Sequence, residues 1–194
     1  MVTWTTYGSW LPGDPRGFRT WRGRERVAPP RRFATHSDDV YEPARYVTRY
    51  REAVAQCSTG VCLNVTHRQV ALKAIVEDVN ALNLPAAVLA VADWHVHLVA
   101  QFGGLPIRPT VGRFKSEATR AIKTADDDYD PKRSWTKGCH MESLKDDASL
   151  EAACRYVAGH VLQGAVVYTW PGYEFALPGG AGHGSDGIAV GLGD

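Results

Sequence analysis

Two short patterns in this chain have residue types and spacings that could do chemistry together. The first is His95-Val96-His97. In an extended strand, residues i and i+2 project from one face. Both imidazoles would stand side by side, in reach of one metal ion. Val96 would turn to the opposite face, where a core can use it. The second pattern is Tyr156 with His160, inside ACRYVAGHVLQG. On a helix, i and i+4 share a face, so a phenol and a third imidazole would lie one turn apart. Each pattern also has a structural reading. A His-x-His strand is often accidental. Ala153, Val157, Val161 and Gly164 lie near the same helical face and would let Tyr156 be a core residue with a satisfied hydroxyl.

Taken together, the parts fit one reaction. Attack on a phosphodiester needs a nucleophile in line with the leaving oxygen. It also needs positive charge against the negative charge that develops on the phosphate. A divalent ion on three imidazoles keeps positions open for phosphate oxygens and water, and acts as Lewis acid and template. A tyrosine nucleophile keeps the bond energy in a phosphotyrosine link, so a later hydroxyl can rejoin strands without ATP. A hydrolase has no use for that device.

The elements that must position these residues can be read from periodicity and punctuation. VTWTTYG, residues 2–8, reads as a strand. The Pro- and Gly-rich LPGDPRG that follows is a loop, and 12–40 reads as an irregular insertion. Residues 43–55 suit a short helix, and Thr66 reads as the N-cap of a helix over 67–82. Residues 86–92 and 94–102 read as two strands joined by a tight turn near Asp93. A basic helix is expected over 109–124, a strand over 134–142, a helix from Asp146 to Leu162 capped by Ser149 or the aspartates, and an edge strand over 165–169. The Gly-rich 174–194 reads as a disordered tail. This order predicts an α+β domain over 1–173: a ferredoxin-like split β-α-β antiparallel sheet with helices packed on it.

Composition narrows the function classes. The 194 residues suffice for one domain with a sizeable core. No apolar run reaches the length of a membrane span, and no signal peptide is visible, so no membrane association and a cytoplasmic location are expected. Cys57, Cys62 and His67 lack a fourth partner for a zinc site, which leaves the four cysteines as free thiols. Net charge is only +1, but the positive charge is clustered. Seven arginines lie between Arg16 and Arg32, with Phe18, Trp21 and Phe33 interleaved. Arg16, Arg19, Arg22 and Arg24 there, and Arg113, Lys115, Arg120 and Lys123 on the basic helix, are candidate phosphate contacts. A solvated loop is the alternative for the first cluster.

At these residues the sequence resembles the HUH superfamily of single-tyrosine transposases, especially the REP-associated tyrosine transposases and their insertion-sequence relatives. TWTTYGSWLPGDPRG is similar to that family's first strand and turn, DWHVHLVAQF to its HUH strand, and GRFKSEATRAIK to the basic helix after it. SWTKGCHMESLKDDASLEAACRYVAGH is similar to the segment leading to the nucleophile. The resemblance covers about residues 1–170. It implies a DNA-binding transposase and endonuclease acting in DNA transposition and recombination. The HUH motif would sit on a central strand, with Tyr156 as nucleophile on a C-terminal helix. It implies single-stranded DNA next to a hairpin, Mg²⁺ or Mn²⁺, and a 5′-phosphotyrosine intermediate with a free 3′-hydroxyl. His95 and His97 become metal ligands. His160, where relatives often carry Gln, becomes the third, with His140 a weaker alternative. Three nitrogens favour Mn²⁺ over Mg²⁺. Relatives act as domain-swapped homodimers or as monomers. Three rivals remain: a relaxase or replication initiator of the same superfamily, a domesticated protein that binds hairpin DNA or RNA without cutting, and a metal domain with unrelated hydrolytic chemistry. Gly159 weakens its helix by about 1 kcal/mol relative to alanine, which would let the tyrosine helix shift between cutting and rejoining.

Overall fold

The computed structural model describes residues 1–9, 60–173 and 188–190. The chain divides into two compact units, Met1–Tyr7 with Val61–Asp194, and Gly8–Gly60. Arg16, Arg19, Arg22 and Arg24, the helix expected over 43–55 and most of 174–194 lie outside the described residues.

The first unit is an α+β structure built on one antiparallel sheet. Its strands are β1 (Val2–Thr5), β2 (Ala86–Val91), β3 (His95–Ala100), β4 (His140–Met141), β5 (Val166–Thr169) and β6 (Ile188–Val190). Its helices are α1 (Val65–Ala81), α2 (Ile107–Ala125) and α3 (Asp147–Ala158). The strand order is β4-β1-β3-β2-β5-β6, and every pairing is antiparallel. β3 therefore lies between β1 and β2, which α1 connects, an order compatible with the expected split β-α-β layout.

Alternation along β3 divides the core in two. Val96 and Leu98 join Trp4, Leu89 and Val91 on the face covered by α1 and α2. Val99 joins Ala90 and Val167 on the face covered by α3. α2 shows why it docks: Val111, Phe114, Ala118 and Ile122 recur at helical spacing and are all buried. Burying Phe114 alone is worth about 1.5–3 kcal/mol. α3 buries Ala153, Cys154, Val157 and Ala158 on the other side. Among the described residues, no helix is long and apolar enough to cross a membrane.

Several boundaries differ from expectation for identifiable reasons. Asn64, not Thr66, caps α1, its side chain accepting from the His67 amide at 2.8 Å. α2 begins at Ile107, with Pro109 in the first turn, where a missing N–H costs little. The strand expected over 134–142 is reduced to His140–Met141 and one isolated bridge, Thr6 to Trp135. Residues 137–139 leave β1 between those points, around Gly138 in left-handed backbone at φ 77°. β5 is not an edge strand, because β6 pairs with it along Val166–Tyr168. The helix expected to run to Leu162 ends at Ala158 and passes into a 3₁₀ turn, Gly159–Gln163, closed by left-handed Gly164.

Candidate active site

β3 supplies two imidazoles to the face under α3. His97 lies opposite Thr3 on β1 and Ala90 on β2, two small neighbours that leave room for its ring. His95 lies at the start of β3, opposite Thr5. Hydrogen bonding on both sides of the strand fixes the spacing of the pair. Their ring centroids are 4.7 Å apart.

α3 brings the other two groups to the same place. It starts at a capping box, in which Asp146 accepts from the Ser149 amide at 2.7 Å and Ser149 Oγ accepts from the Asp146 amide. Its buried face rests on the sheet and leaves Tyr156 and His160 over β3. The His160 ring lies 5.1 Å from His95 and 4.7 Å from His97, centroid to centroid. The Tyr156 ring lies 5.4 Å from His97 and 4.7 Å from His160. Tyr156 is 55% exposed and so is not a core residue. One chain supplies all four side chains.

The three histidines fit a metal ion. Their ligating nitrogens all lie within 4.8 Å of one another. An ion held by imidazoles at about 2.1 Å sets neighbouring nitrogens roughly 3–3.4 Å apart, a contraction within reach of side-chain torsions. Two of the rings are already oriented. His160 Nδ1 donates to the Tyr156 carbonyl at 2.9 Å, which leaves the Nε2 lone pair free. His97 Nδ1 is 2.8 Å from Thr3 Oγ1. With its proton on Nδ1, His97 donates to that hydroxyl and also presents Nε2. Such outer partners set the tautomer of metal-binding histidines.

Electrostatics favour the neutral form of the two β3 histidines. Burial pushes the His97 imidazolium down to about 2, helped by the charges of His95 and His160. Burial also lowers His95, as does His160, while Asp93 partly opposes them. Neutral imidazoles are the form that binds metal.

The remaining candidates fall elsewhere. α2 lies on the opposite face of the sheet from the histidines, and the four cations singled out on it have partners within the fold. Arg113 pairs with buried Asp78, and Arg120 with Glu117. Lys123 pairs with Asp130 at 2.9 Å. Lys115 Nζ donates to the Thr136 carbonyl at 2.8 Å and to that of Gly138, and burial lowers its pKa. His140 is separated from His97 by β1 and is not in the histidine cluster. His67 is engaged by Asp126 at 2.6 Å, and Cys62, Cys139 and Cys154 are free thiols. Sequence reasoning missed Thr3, because nothing local says that β1 pairs with β3.

Comparison with known families and structures names no relative. No family model, curated protein or solved structure matches the chain.

Proposed function

We propose that this chain is a metal-dependent tyrosine enzyme that cuts and rejoins single-stranded DNA, a HUH-type single-tyrosine transposase. The observation that carries the reading is an exposed phenol whose ring lies 5.4 Å from one histidine of a buried three-imidazole cluster and 4.7 Å from another. A tyrosine serving only the core would be covered. A solvated one would have no reason to stand beside three converging metal-ligand side chains.

On this reading the sheet is the ferredoxin-like scaffold, with the histidine pair on its central strand and the nucleophile on the C-terminal helix. Tyr156 Oη attacks the phosphorus, the P–Oη bond forms and the P–O3′ bond breaks. The phenolic proton leaves to solvent, the 3′-oxygen takes one up, and the downstream strand stays linked as a 5′-phosphotyrosine. A later 3′-hydroxyl attacks the same phosphorus and releases Tyr156, so strands rejoin without an outside energy source. His95, His97 and His160 would hold Mn²⁺ or Mg²⁺, which when bound supplies Lewis acidity and a template for the phosphate. The Tyr156 carbonyl holds His160 in the ligating tautomer, and Thr3 would do the same for His97 when its proton is on Nδ1. The partner is single-stranded DNA, next to a hairpin by the family resemblance, met in the cytoplasm on nucleoid DNA.

The test is covalent trapping. Labelled single-stranded DNA from the hairpins flanking the gene, incubated with the protein and Mn²⁺, should give a labelled protein band under denaturing conditions. Tyr156→Phe should abolish the band and keep DNA binding. Binding by the unaltered chain with no band would favour the non-cleaving alternative. A reaction that survives Tyr156→Phe would favour hydrolysis.

A further inference from the structure

The histidine cluster draws on two segments that are far apart in sequence, and the start of α1 is bonded to both. The Leu63 amide donates to the Asp93 carbonyl at 2.9 Å, just before His95. Arg68 Nη1 donates to the Gly164 carbonyl at 2.6 Å, just after the turn that carries His160. The chain between these contacts is stiff. Leu63 is buried, Asn64 caps α1, and the Arg68 amide donates to the Asn64 carbonyl at 3.0 Å.

The Gly164 end passes this restraint on to His160. Gly164 closes the 3₁₀ turn in left-handed backbone at φ 80°, and its amide donates to the carbonyls of His160 and Val161. The Ala165 amide also donates to the His160 carbonyl, at 3.1 Å. Holding the Gly164 carbonyl therefore holds the His160 backbone, and the His160 ring is tied in turn to the Tyr156 carbonyl.

The chemistry of Arg68 argues against a role in stability alone. Its Nε is closed to solvent and has no acceptor. A buried donor left unmade is costly, and an apolar residue at this helical position would avoid that cost. Among the described residues, no carboxylate pairs with Arg68. Its guanidinium is spent on the carbonyl that closes the His160 turn. A hydrogen bond from a charged donor is roughly twice as strong as a neutral one.

We infer that the first turn of α1 clamps the two halves of the metal site, and that Arg68 is the positioning residue for His160. This role rests on the reading of the three histidines as metal ligands, and not on that of Tyr156 as nucleophile.

Co²⁺ serves as the probe, since it binds imidazole more tightly than Mn²⁺ does, and calorimetry on the full chain measures its Kd. Arg68→Met keeps an unbranched apolar stem and removes the donor. It should raise Kd about tenfold, the lower end of the range for losing an outer support of a metal ligand. In a His160→Ala background the same substitution should change Kd by less than about twofold, because the ligand it positions is gone. Arg68→Lys, which keeps a charged donor, should recover part of the affinity. Arg68→Gln, which keeps an N–H donor and loses the charge, takes the place of Arg68→Met in the same cycle if the methionine variant does not fold. An equal rise of Kd in both backgrounds would mean general loosening and would overturn the clamp. An unchanged Kd with His160 present would overturn it too, and would leave the metal reading standing. Absence of Co²⁺ binding by the unaltered chain would overturn the metal reading and the clamp with it.

Discussion

Lowering the pH should destabilise the metal-free protein through His97, and the size of the effect follows from its burial. His97 is 7% exposed, and its pKa falls from the ordinary 6.5 to about 2 in the folded chain. The unfolded chain then takes up a proton below about pH 6.5 that the folded chain refuses. Stability from this group is complete above that pH and is lost progressively as pH falls towards 2. The slope is about 1.4 kcal/mol per pH unit. Between pH 6.5 and 4.5 the loss assigned to His97 is therefore roughly 2–3 kcal/mol, an order-of-magnitude figure. The assay is urea unfolding in EDTA at pH 7.5 and pH 4.5, for the unaltered chain and for His97→Gln. Carboxylates titrate in both proteins, so the difference between the two losses isolates the imidazole. The variant should lose about 2–3 kcal/mol less than the parent over this window. Equal losses would refute the account of His97 as a buried neutral ring. The same burial explains why metal binding at neutral pH would displace no proton from it.

Two further substitutions probe the supports of the site. Thr3→Val keeps the shape of the side chain and removes the partner of His97 Nδ1. It should weaken Mn²⁺ binding about 10- to 100-fold in calorimetry, and unchanged affinity would show that Thr3 does not orient the ring. Gly159→Ala adds a methyl group that meets nothing within 4 Å, at a φ of −62° that any residue adopts. It should leave thermal stability unchanged or raise it by roughly 0.4–1 kcal/mol. If the glycine serves as a hinge, strand transfer should slow while the fold stays intact, and unchanged cleavage and transfer would end that idea.

What the sequence made legible was local. The pairing of His95 with His97 needs only the two-residue strand period, and β3 realises it with Val96 in the opposite core. Tyr156 and His160 meet as expected, although the helix stops at Ala158 and His160 sits on the 3₁₀ turn. The rest depended on partners distant in the chain. Thr3 reaches His97 across 94 residues of sequence. The cations of α2 look free in sequence, yet Asp78 from α1 and Asp130 beyond α2 take Arg113 and Lys123. β4 shrinks to two residues because the chain arches at Gly138 and Lys115 holds the arch by its carbonyls. β5 is an inner strand because Ile188–Val190, in a segment with no strand-like pattern of its own, adds beside it.

The central claim is that Tyr156 is a nucleophile, and covalent trapping tests it most directly. Labelled single-stranded DNA from the sequence flanking the gene, incubated with Mn²⁺ and run under denaturing conditions, should yield a labelled protein band that disappears with EDTA and with Tyr156→Phe. A band that persists in Tyr156→Phe, or DNA cut with no protein attached, would contradict it.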